Sequence, residues 1–92
     1  MPEKQTLENI FGAFVNQNTL EEAAVELAEL MESDHEFKNE IISCLTQGVK
    51  LGNGGEKSVV EAVNHSGYRA NSPSEAAEYC EELLKLVMDR IT

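Results

Sequence analysis

The sequence predicts an all-α fold: a small compact bundle or orthogonal array of about five short helices, forming one domain over residues 1–92. Three observations carry that reading. Apolar residues recur at three- and four-residue spacing in successive stretches, the pattern of a helix with one buried face. Capping residues and glycine-containing breaks separate those stretches. The only segment with a strand-like pair of branched residues, Val59-Val60, would be a single short strand with nothing to pair with. A chain of 92 residues supports one core, and its hydrophobic fraction of 41% argues against disorder.

The first helix is expected from Thr6 to Asn16, with Leu7, Ile10, Phe11, Phe14 and Val15 on its apolar side. Gly12 lowers its intrinsic propensity, so packing has to hold it. The second opens with a capping box, Thr19 and Glu22, in which each side chain satisfies an unpaired amide of the first turn. Leu20, Ala23, Ala24, Leu27, Leu30 and Met31 then form its apolar face, and Ser33-Asp34 ends it. Asp34 caps a third helix from His35 to Leu51 with Phe37, Ile41, Cys44, Leu45 and Gly48 inward, and Gly52-Asn53-Gly54-Gly55 is expected to stop it. A fourth, shorter helix covers Ser58 to His65, with Gly67 as its terminator.

The last helix has the fullest set of signals. Ser72-Pro73-Ser74-Glu75 combines an N-cap, a proline at the first helical position and a capping-box glutamate. Ala76, Ala77, Cys80, Leu83, Leu84, Val87, Met88 and Ile91 line one face, and Glu81 stands one turn before Lys85 as a favourable pair.

Seventeen acids against seven Lys or Arg give a net charge of −10. That balance excludes direct nucleic-acid binding, which depends on accumulated cations facing phosphates. The acids are concentrated: Glu21, Glu22, Glu26, Glu29, Glu32, Asp34, Glu36 and Glu40 fall in one stretch against Lys38 alone. The opening Met-Pro-Glu-Lys-Gln-Thr lacks the apolar segment of a signal peptide, and no run is long enough to span a membrane. Two cysteines do not make a disulfide framework, so a reduced, cytoplasmic setting is expected.

The stretch Gly48-Val49-Lys50-Leu51-Gly52-Asn53-Gly54-Gly55-Glu56-Lys57-Ser58 invites a phosphate-loop reading, since it holds four glycines and ends in Lys-Ser. A phosphate loop needs the lysine directly after its last glycine and a strand before it. Here Glu56 intervenes, and a helix precedes; a turn between helices is expected. A phosphopantetheine carrier would want Asp-Ser-Leu at a helix start, where this chain has Lys57-Ser58-Val59. Cys44, Cys80, His35 and His65 lack the short spacing of a metal motif, and are read as two core thiols and two surface imidazoles. The glutamates sit on a solvated face without the cleft that would split their pKa values for acid–base work. No enzyme, cofactor or metal site is expected.

Recognition of a protein remains. The candidate binding face is Glu22, Glu26, Glu29, Glu32, Glu36 and Glu40, whose charge suits a basic partner. Tyr68 and Arg69 form a second candidate in the loop before the last helix, an amphipathic ring beside the only base between Ser58 and Lys85. The expected role is an adaptor or inhibitor. The alternatives are a homo-oligomeric structural domain, such as a homodimer built on Phe11, Phe14 and Phe37, and a DNA mimic that occupies a nucleic-acid-binding protein.

Overall fold

The structure is a computed structural model that describes residues 6–16 and 18–91. Residues 1–5, read above for a signal peptide, lie outside the described residues. The order is α1 (Leu7–Asn9), which continues as a π-helix (Ile10–Val15), then α2 (Leu20–Ser33), α3 (His35–Asn53), α4 (Lys57–Asn64) and α5 (Pro73–Ile91). Among the described residues there is no strand, and Val59-Val60 lies inside α4. The Cα radius of gyration of 12.0 Å is that of a packed domain of this size.

The first segment departs from expectation in its geometry. Thr6 caps it as its side-chain oxygen accepts from the Asn9 amide at 3.1 Å, but from Ile10 onward the turn is wider than an α-helix. Ile10, Phe11 and Val15 are buried while Phe14 is only partly so. Ile10 and Val15 are five residues apart, the repeat of a π-turn, so the wider winding puts both on the core side. Phe14 instead packs against Phe37 of α3, with ring centroids 6.1 Å apart.

The α2 capping box forms in full: the Glu22 amide donates to Thr19 Oγ1 and the Thr19 amide donates to Glu22 Oε1, each at 3.1 Å. Leu20, Ala23, Ala24, Leu27 and Met31 are buried. Leu30 is 45% exposed, at the edge of the face assigned to it, and Ala28 is buried instead. Asp34 is the single-residue link to α3, where its Oδ1 accepts from the Glu36 and Phe37 amides.

Helix α3 runs through Gly52, which was expected in the stop signal, and ends two residues beyond the predicted Leu51. The stop itself lies at Gly54-Gly55. Gly55 takes a φ of +89°, its amide donates to the Gly52 carbonyl at 3.0 Å, and the Glu56 amide donates to the Leu51 carbonyl at 2.9 Å. That pair of bonds is the Schellman closure, which satisfies carbonyls a helix end would leave open. Gly52 is instead buried against α5, one turn after Gly48, which is buried as expected. A Cβ at Gly52 would stand 2.6 Å from the Pro73 carbonyl oxygen and 2.7 Å from Ala77 Cβ, so the two backbones approach to a distance that only glycine permits there.

Helix α5 packs along both α2 and α3 and anchors the core. Ala76, Ala77, Cys80, Leu83 and Val87 are buried, with Leu84, Met88 and Ile91 half-buried beside them. Full burial of a side chain such as Leu83 stabilises the fold by about 1.5–3 kcal/mol. At its start the Glu75 amide donates to Ser72 Oγ at 3.2 Å, while the Glu75 carboxylate reaches one residue further back, to the Asn71 amide at 3.1 Å. The anticipated Glu81–Lys85 ion pair does not form; among the described residues the one contact at salt-bridge distance is His65 Nε2 to Glu8 Oε1 at 3.3 Å, an ion pair only with the imidazole protonated.

Candidate protein-interaction surface

The six candidate glutamates occupy two helices. Glu22, Glu26 and Glu29 follow one another at four- and three-residue spacing on the solvent side of α2, with Glu32 one turn on, and all four are exposed. Glu36 and Glu40 stand one turn apart on α3, Glu36 exposed and Glu40 half-buried. Their side chains do not share one status. Glu22 is committed to the capping box, whereas none of the six takes part in an ion pair among the described residues. Lys38, the one cation in the stretch, is half-buried and also unpaired among the described residues.

The loop between α4 and α5 is held by its own polar side chains. Gly67 turns the chain with a φ of +90°. The buried Ser66 hydroxyl donates to the Val63 carbonyl at 2.6 Å and accepts from the Tyr68 amide at 3.2 Å, and Asn64 Oδ1 accepts from the Ala70 amide at 2.9 Å. These bonds fix the backbone on both sides of Tyr68. Tyr68 is half-buried and packs against Tyr79 of α5, with centroids 5.3 Å apart and ring planes at 57°. Arg69 points into solvent and makes no ion pair among the described residues. The two candidates of this loop thus part ways, one packed on α5 and one exposed.

Tyr79, which sequence reasoning passed over, is the residue that makes this region a surface feature. With Tyr68, Leu86, Glu82 and the first turn of α2 at Thr19 to Glu21 it lines an open groove of about 340 Å³. A signal for it was present: Glu75, Tyr79, Glu82 and Leu86 recur at four- and three-residue spacing, a stripe of α5 separate from its core face.

The remaining candidates for chemistry are dispersed. Cys80 is fully buried, and burial pushes its thiol up to about 12. Cys44 is half-buried, its pKa also raised by burial and then by Glu40. Both thiols are therefore protonated near neutral pH and poor nucleophiles. His35 and His65 are exposed, and Ser58 is an exposed residue in the first turn of α4. Among the described residues no three His, Cys, Asp or Glu side chains converge on a position for a metal ion, and no helix is long and apolar enough to cross a membrane. Neither a protein-family model, nor a curated protein, nor a solved structure matches the chain.

Proposed function

We propose that this small helical domain is a non-catalytic interaction module, an adaptor or inhibitor that binds a basic partner protein through the anionic side of α2 and the start of α3. The observation that carries the reading is that the fold leaves these carboxylates unspent. Glu26, Glu29 and Glu32 project into solvent with neither an ion pair nor a hydrogen bond among the described residues. Closely spaced like charges repel within a helix, so their retention costs stability that a partner of opposite charge would restore. Of the phenylalanines that suggested self-association, Phe11 is fully buried, while Phe14 and Phe37 pack on each other and are half-buried.

The test is capture of partners from the native lysate, with a Glu26→Lys/Glu29→Lys/Glu32→Lys variant as the control. Glu22 is left in place because its side chain holds the cap. The expected result is a basic protein retained by the unaltered chain, released as salt rises, and at least about tenfold depleted on the variant. A nucleic-acid-binding protein among the retained set would favour mimicry of DNA over a general adaptor role. Capture of the same set by both chains, or of nothing, would overturn the reading.

A further inference from the structure

The groove between α2, Tyr68 and α5 has a chemistry that the glutamate row lacks. Its lining is aromatic and aliphatic at Tyr68, Tyr79 and Leu86 and acidic at Glu21 and Glu82. A second concavity continues from Tyr79 and Glu82 toward Glu78. No Lys or Arg lines either hollow, Arg69 included. Glu21, Glu78 and Glu82 are exposed and make no ion pair among the described residues. Two half-buried rings, packed on each other, therefore line an open groove beside several uncompensated carboxylates.

We propose that this groove receives an arginine side chain presented by a segment of a partner protein. Arginine suits both halves of the site at once. Its planar guanidinium stacks on an aromatic face, where the ring quadrupole attracts a cation, and its edge donates paired hydrogen bonds to carboxylates. Its aliphatic stem covers apolar surface such as Leu86. Lysine offers a compact, strongly hydrated charge that neither stacks nor forks, so it is the weaker occupant. The volume of about 340 Å³ is near the small end of ligand pockets, enough for one long side chain but not for a folded element. The bonds that Ser66 and Asn64 make around Tyr68 hold its backbone in place before the ligand arrives, which lowers the ordering cost of binding.

This inference rests on the domain being an interaction module but not on the α2–α3 glutamate row, and its test separates the two. The full chain, labelled with nitrogen-15, is titrated with the peptide acetyl-Gly-Arg-Gly-amide, and in parallel with the same peptide carrying lysine or the neutral isostere citrulline. The expected result is saturable shifts at the amides of Tyr68, Tyr79, Glu21 and Glu82, with citrulline and lysine peptides each at least about fivefold weaker. Tyr79→Leu is expected to abolish saturation and Tyr79→Phe, which keeps the ring, to preserve it; the melting temperature of each variant reports whether the fold is intact. Shifts confined to Glu26, Glu29 and Glu32 would overturn the groove while leaving the glutamate row as the binding face. Equal binding of the lysine peptide, or no saturable shift in the groove, would also overturn it.

Discussion

Gly52 carries a large structural role for a residue with no side chain. Its missing Cβ lets α3 lie directly on the start of α5, against the Pro73 carbonyl and Ala77. Gly52→Ala forces that contact apart, and because the obstacle is backbone it is expected to lower stability by about 1–3 kcal/mol in urea unfolding. Gly54→Ala is the control: its nearest neighbours would be ordinary contacts at 3.4 and 3.5 Å and its φ is −84°, so stability should hold or rise slightly. The inward position of Gly48 was legible from its place in the apolar register of α3. Gly52 was read as punctuation because three further turn-forming residues follow it, although it stands one turn after Gly48 and lies against Pro73 and Ala77, as Gly48 lies against Cys80. A glycine used for a turn and one used for close approach look alike until the facing helix is known.

At the scale of the element, caps were the most legible feature. Thr19, Asp34 and Ser72 each accept from amides of the helix they precede, because capping is decided within four residues of sequence. Thr19→Ala is therefore expected to cost about 1 kcal/mol, measured as a lower thermal or urea midpoint. Part of that loss would come from Glu22, whose carboxylate holds the other half of the box. The π-winding of Ile10–Val15 was not legible, since Ile10, Phe11, Phe14 and Val15 satisfy an α-helical spacing as well as a wider one. Packing against α2 and α4 selects the winding that buries Val15, and that choice is made by tertiary contact. The same limit applies to the candidate sites. The glutamate row could be read from spacing within one helix, but the groove joins α2, a loop and α5 across some sixty residues, so Tyr79 and Glu82 acquired meaning only when the chain was folded.

The whole molecule carries a net charge of −10 with its histidines neutral, and the one contact at salt-bridge distance among the described residues, His65 with Glu8, is exposed on both sides. Its anionic character is thus a property of the surface and not of a buried network. A net charge of magnitude about 2–8 is enough to keep a small domain dispersed. Substituting Glu26→Gln/Glu29→Gln/Glu32→Gln changes −10 by three, to −7, which stays within that range. If these acids serve recognition, the fold and its dispersal do not need them. The measurement that tests this most directly is light scattering of that variant over rising concentration at low salt, alongside its melting temperature. The account predicts a monodisperse protein that melts at or above the temperature of the unaltered chain, because repulsion along α2 has been relieved. A variant that aggregates while the unaltered chain does not, or one that melts lower, would contradict it by giving these carboxylates to solubility or to the fold.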